Sequence, residues 1–144
     1  LLPIFQMLGT NYLRKDILTR FADDKHRYDA FTKIAFVYPH AVASLKVGQG
    51  VKSEGELVIS GTKGYIYVPA PWWKTEYFEV RYENPQNNKR YFYQLDGEGL
   101  RYELLTFFKA ISTGSNFTYV SDDISHSITQ IIEDFYAQRD MTII

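Results

Sequence analysis

The sequence predicts an α+β domain. Its expected form is a large, mostly antiparallel, open-faced sheet of six or seven strands, with helices packed on one face. Strand-like runs occupy most of residues 15–95, whereas from Leu100 onward the apolar residues recur at helical spacing. The aromatic content points the same way. Twelve Tyr and ten Phe in 144 residues suit a pleated, half-buried surface.

Leu1, Leu2, Ile4, Phe5 and Leu8 recur at helical spacing and stop at Gly9, a residue suited to a left-handed helix end. Apolar residues without a cap at Leu1 lead us to expect a helix already under way before that residue. Lys15 to Phe21 and Phe31 to Tyr38 read as strands, separated by the polar run Ala22-Asp23-Asp24-Lys25-His26. Pro39-His40 breaks the second strand, and Ala41 to Val47 returns as its hairpin partner. Between Glu54 and Ser60, Glu56 and Val58 alternate with Leu57 and Ile59, the period of a half-buried strand. Gly61-Thr62-Lys63-Gly64 makes a short loop back into Tyr65 to Val68. Thr75 to Tyr82 and Lys89 to Leu95 form a further hairpin across Glu83-Asn84-Pro85-Gln86-Asn87-Asn88. Leu100, Leu104, Phe107, Phe108 and Ile111 then line one face of a helix ended by Thr113-Gly114-Ser115. Ser121 caps a last helix, Asp122 and Asp123 suit its positive end, and Ile124, Ile128, Ile131 and Phe135 step along one face.

Composition narrows the function classes. A chain of 144 residues, 45% hydrophobic, fits one globular domain over 1–144, long enough to bury roughly two-thirds of its unfolded surface. A net charge of -1 gives no global field for nucleic acid or an anionic membrane. No apolar run approaches the ~20 residues of a spanning helix. Cysteine is absent, which excludes disulfides and thiolate chemistry and agrees with a cytoplasmic location, as does the lack of a basic flank before an apolar start. Asn116-Phe117-Thr118 matches a glycosylation acceptor by chance.

The chemistry-bearing residues are few. Gly48-Gln49-Gly50 is followed by Ser53 where a dinucleotide fingerprint needs a third glycine, and Gly97-Glu98-Gly99 is followed by Tyr102. Gly48 and Gly50 read as a bulge or turn at a strand end. His26, His40 and His126 are scattered, so no metal site is expected. No catalytic constellation can be argued from spacing. In Trp72-Trp73-Lys74, adjacent positions on a strand face opposite ways, so Trp73 either lines a cleft or joins Trp72 in covering the sheet edge. Lys74 offers a charge to a phosphate or carboxylate, or to solvent. Arg101-Tyr102-Glu103 opens a helix, where Glu103 favours the helix dipole and could hold Arg101. Tyr102 points either into the sheet or towards a pocket.

Taken in order, Glu54 to Gly64 with its Gly61-Thr62-Lys63-Gly64 turn, Pro71-Trp72-Trp73-Lys74, and Gly99-Leu100-Arg101-Tyr102-Glu103 with Phe107 and Ile111 resemble the C-terminal domain of the Gfo/Idh/MocA oxidoreductases. The Trp73 segment and the following helix resemble the dimeric dihydrodiol dehydrogenase branch in particular. The resemblance covers nearly the whole chain and begins with Leu1 to Gly9. It implies a substrate-binding, dimer-forming domain whose NAD(P)-binding Rossmann partner and catalytic lysine lie upstream, so this fragment binds no cofactor and is not competent alone. It also implies a sugar, polyol or similar secondary alcohol as substrate of the full-length protein, with Trp73, Tyr102, Lys74 and Arg101 as candidate substrate contacts. The sheet face left open by the helices becomes the expected homodimer surface. The alternative is a non-enzymatic binding or oligomerisation module fused to another catalytic unit.

Overall fold

The computed structural model describes residues 1–23, 28–97, 99–114 and 119–144. It is an α+β arrangement, with three α-helices and eight strands among the described residues. The strands form two sheets of four rather than one sheet of six or seven. The chain divides into two compact units, Leu1–Ser53 with Thr118–Ile144, and Glu54–Phe117.

The first unit holds α1 (Leu2–Leu8), β1 (Arg14–Phe21), β2 (Asp29–Val37), β3 (Val42–Val47), α3 (Asp122–Tyr136) and β8 (Met141–Ile143). Its sheet runs β3-β2-β1-β8, antiparallel except for β8, which lies parallel to β1. Period-two alternation turns Ile17, Ile34 and Phe36 inward, where they meet Ile4 and Phe5 of α1 and Ile131 of α3. Ile124, Ile128 and Phe135 pack against the same core, so the helical stripe read from the sequence is the buried one. Rings of Phe5 and Phe36 meet edge to face at 5.6 Å, and Tyr12 adds a second edge contact to Phe36 at 5.1 Å. Ser121 caps α3 by accepting from the Ile124 N–H at 3.3 Å.

Two buried polar arrangements complete this core. The hydroxyls of Thr19 and Thr32 share a hydrogen bond at 2.8 Å across β1 and β2. Lys15, with 2% of its side chain exposed, makes a short ion pair with Asp134 and a second with Asp140 at 3.1 Å. Asp134 also accepts from Gln130 and Arg139, each at 3.1 Å. These bonds, Lys15 first, hold the Asp134 carboxyl below the usual carboxylate range. Burial works against the Lys15 charge, but its bonds to Asp134 and Asp140 prevail and raise it. The cluster fixes the route from α3 into β8, where Gln138 and Asp140 adopt left-handed φ of 55° and 51°.

The second unit holds β4 (Leu57–Gly61), β5 (Gly64–Val68), β6 (Tyr77–Tyr82), β7 (Lys89–Phe92) and α2 (Leu100–Thr113). The strands pair in sequence order, all antiparallel. The β6–β7 connection forms a 3-10 turn at Pro85–Asn87, started by the Asn84 side chain accepting from the Gln86 N–H at 3.0 Å. Gly114, with φ 62°, ends α2 in the left-handed conformation expected of it. The stripe of α2, however, is exposed: Leu100, Leu104, Phe107, Phe108 and Ile111 all face outward, Phe107 at 59%. None of the described residues of this unit is buried.

Candidate functional site

The Gly61-Thr62-Lys63-Gly64 loop joins β4 to β5, with Gly61 opposite Gly64 in register. Gly64 is required by close approach, because a Cβ there would sit 2.3 Å from the Arg81 carbonyl oxygen on β6. The loop therefore lets β5 pair tightly on both sides. That places Tyr65 opposite Arg81 and Tyr67 opposite Glu79.

Trp72 and Trp73 are on a turn, not a strand. Pro71–Lys74 closes with the Lys74 N–H donating to the Pro71 carbonyl at 2.9 Å, and the Trp72 N–H reaches the Gly55 carbonyl at 2.9 Å. Pro69 and Pro71 precede the pair and cannot donate to a strand ladder, which is why no strand forms here. Freed from strand alternation, the two rings meet edge to face at 5.9 Å. Both are exposed, Trp72 at 37% and Trp73 at 58%. Lys74 is exposed beside them.

Arg101 and Tyr102 converge on a single residue, Asp96. The Asp96 N–H donates to the Tyr102 hydroxyl at 2.9 Å, and Arg101 makes a short ion pair with the Asp96 carboxylate. Tyr102 is half-buried and Arg101 exposed. Together they clamp the loop after β7 onto the first turn of α2. Glu103 sits in that first turn, where its charge favours the helix dipole, and its ion pair with Arg101 is replaced by Asp96. The side chains singled out in the sequence thus form two groups: Trp72, Trp73 and Lys74 on the turn, and Arg101 with Tyr102 on Asp96.

A third constellation was not singled out in the sequence. Tyr65, Tyr67, Tyr77, Glu79, Arg81, Arg90 and Phe92 share one face of β5–β7. Glu79 accepts from the Arg81 Nε at 2.6 Å on one oxygen and from the Arg90 Nε at 2.9 Å on the other. The Arg81 guanidinium lies 4.4 Å from the Tyr67 ring centre, and that of Arg90 lies 4.7 Å from Tyr77. Arg81 also donates to the Tyr65 hydroxyl at 3.2 Å. Bonds from Arg90 and Arg81 hold the Glu79 carboxyl below the carboxylate range, and a hydrogen bond with Glu56 pushes the Tyr67 phenol up. Each charge is engaged by another, so the face is built for contact rather than proton transfer. Its signal in the sequence was the two-residue period of Tyr77, Glu79 and Arg81 facing Tyr65 and Tyr67.

Gly48 and Gly50 are taken up by strand packing. At Gly48 a Cβ would lie 2.7 Å from the Ala30 carbonyl oxygen, and the Gly50 N–H donates to that same oxygen at 3.0 Å. Both serve the packing of the chain after β3 against β2. Among the described residues no helix is long and apolar enough to cross a membrane. Asn116-Phe117-Thr118 and His26 lie outside the described residues.

Against known proteins, no family model and no curated protein matches the chain. Among solved structures it is similar to a biliverdin reductase from Synechocystis sp. PCC 6803, determined in complex with biliverdin and NADP+. The match has a TM-score of 0.62 at 15% identity and covers 95% of this chain and 46% of that one. At this identity the likeness is one of fold. The chain spans a little under half the length of that structure.

Proposed function

We propose that this chain is the substrate-binding and dimer-forming part of an NAD(P)-dependent oxidoreductase acting on a sugar, polyol or similar secondary alcohol, with residues 1–144 serving together as that domain. The observation that carries the reading is the fold likeness over 95% of the chain to a reductase solved with NADP+, of which it covers 46%. The ordered resemblance to the Gfo/Idh/MocA C-terminal domain supports it independently. The cofactor would be held by residues outside this sequence, since Gly48 and Gly50 pack against β2 and neither glycine pair completes the dinucleotide fingerprint. Trp73 is the leading substrate contact, because its ring is offered to the outside on a hydrogen-bonded turn. Lys74 is the neighbouring charge. Arg101 and Tyr102 would act mainly by fixing the loop around Asp96. Self-association would use the Tyr- and Arg-rich face of β4–β7, whose Glu56, Glu79, Arg81 and Arg90 balance in charge and can face their own copies across a two-fold axis.

Titration of the 144-residue chain with NADH and NADPH tests the reading. Tight binding, or turnover of a sugar with either cofactor, overturns it. A coding sequence immediately upstream that gives strand, GxGxxG and helix, then E-K-P, supports it. A different catalytic unit there favours the non-enzymatic module.

A further inference from the structure

The turn between β6 and β7 shapes an open cleft of about 400 Å³, lined by Tyr82, Gln86, Asn87, Asn88 and Lys89. All five belong to the single stretch 82–89, so the hairpin by itself builds the cleft. The turn is braced from within. Pro85 fixes one φ, and Asn84 accepts from the Gln86 N–H through its side chain and from the Asn87 N–H through its carbonyl, each at 3.0 Å. The Asn88 N–H donates to the Pro85 carbonyl at 3.1 Å, and the Asn88 side-chain oxygen accepts from the Tyr82 N–H at 2.8 Å. Tyr82 stands opposite Gly64 on β5, where an added Cβ would come within 3.3 Å of its ring. Glycine at that position leaves the ring its place at the cleft, 40% exposed.

This bracing consumes backbone groups and one oxygen of Asn88. The Asn88 NH2, the carboxamides of Gln86 and Asn87 and the Lys89 ammonium are left over. Among the described residues, the side chains of Gln86, Asn87 and Lys89 make no hydrogen bond or ion pair. Their chemistry narrows the ligand. A carboxamide sets a donor beside an acceptor, and a hydroxyl carries both, so neighbouring hydroxyls of a sugar ring pair with a row of carboxamides in either direction. Inorganic phosphate or sulfate brings acceptors and would set them against the amide carbonyls. A nucleic acid strand needs several cations along its phosphates, and Lys89 is the one cation in the lining. An apolar ligand finds the Tyr82 ring and little else.

We propose that this cleft binds a hexuronate, a sugar ring bearing a carboxylate. The apolar face of the ring lies on Tyr82, its hydroxyls meet Gln86, Asn87 and the Asn88 NH2, and its carboxylate pairs with Lys89. The volume falls within the roughly 300–1,000 Å³ of small-ligand sites. Because the turn is already braced, binding orders side chains and not the loop, which lowers its entropic cost. The site shares no residue with the Trp73 turn or the Arg101–Tyr102 clamp, so it stands or falls apart from the oxidoreductase reading.

The test titrates the nitrogen-labelled 144-residue chain with methyl β-D-glucuronide and with methyl β-D-glucoside, followed by amide correlation spectra. The glucuronide should shift the side-chain NH2 signals of Gln86, Asn87 and Asn88 saturably, with the millimolar affinity of an open site, and bind about tenfold more tightly than the glucoside. The Gln86→Ala/Asn87→Ala double variant, read at Asn88, should weaken the glucuronide at least about tenfold. Lys89→Gln should erase the preference for the glucuronide and leave glucoside binding as it was. All three positions are exposed, and unchanged signals from the rest of the chain report an intact fold. Absence of saturable shifts overturns the proposal. So do shifts that sodium acetate reproduces, which would reduce the site to a single charge, and so does an affinity indifferent to both variants.

Discussion

The two units use the same kinds of residue to opposite ends. In the first, aromatic and aliphatic side chains of the sheet meet two helices and leave water: Ile17 and Phe36 are each 1% exposed and Phe5 is 2%. In the second, a sheet and a helix of similar apolar content leave no described residue buried. What orders it is ladder pairing, ring contacts such as Phe78 on Tyr91 at 5.1 Å, and the Arg81–Glu79–Arg90 bridge. Hydrophobic burial scales with the area removed from water. The first unit therefore carries the stability, and the second carries surface. The difference teaches where contacts with other molecules should be sought, because exposed apolar stripes of this size are seldom left to water.

The largest expected effect breaks the first unit. Phe36→Ala should cost ~3–5 kcal/mol, whereas Phe107→Ala on α2 should change stability by less than about 0.5 kcal/mol. Denaturant unfolding of the two variants measures both. Equal losses would mean that the second unit has a core of its own and that the contrast is false.

Next in size is the ion cluster under β1. Asp134→Ala strands the buried Lys15 with only the exposed Asp140, and should cost about 3 kcal/mol. The pH dependence has a fixed sign. Asp134 titrates lower in the folded than in the unfolded chain, so its contribution is present above the ordinary Asp range and is lost as pH falls through the folded value. Lys15 is raised, so its contribution is complete below the ordinary Lys range and is lost as pH rises through the folded value. Unfolding curves across acid pH should show a steeper loss for the parent chain than for Asp134→Ala.

The Trp pair sharpens the comparison at smaller scale. Trp73→Ala should cost less than about 1 kcal/mol, with Trp72→Ala slightly more, since Trp72 is the less exposed ring. In a full-length protein of the proposed kind, Trp73→Ala should instead raise KM. A loss near that of Phe36→Ala would make the ring structural and remove it from the substrate site. The smallest effect is expected at Glu79→Gln, whose partners Arg81 and Arg90 both reach solvent. Its folded carboxyl is lowered, so the parent should lose the contribution of this bridge as pH falls below the carboxylate range, and the variant should not. Identical acid profiles would show that the bridge adds nothing.

Much of this was legible locally. The Ser121 cap and the Ile124, Ile128, Ile131 and Phe135 spacing specify α3, because helix period and capping are properties of neighbouring residues. The glycines and the Asn-Pro run specify the hairpins, because turns need particular φ values and side-chain acceptors. The Trp turn was readable too, had Pro69 and Pro71 been weighed as strand breakers. Asp96 as the partner of Arg101 and Tyr102 was not, since a loop-to-helix clamp has no period.

By itself, then, the sequence determined the α+β class and the order of most elements, because these follow from local periodicity and backbone preference. Tertiary structure alone decided that eight strands divide into two sheets, since pairing beyond a hairpin depends on partners far along the chain. It decided β8 as well, where three residues too short to show a pattern find β1 through parallel bonds across 120-odd positions. And it decided that two apolar helical stripes of similar spacing meet different fates. The stripe of α3 closes over a core and that of α2 stays open, because amphipathicity specifies a face to be covered but not the surface that covers it.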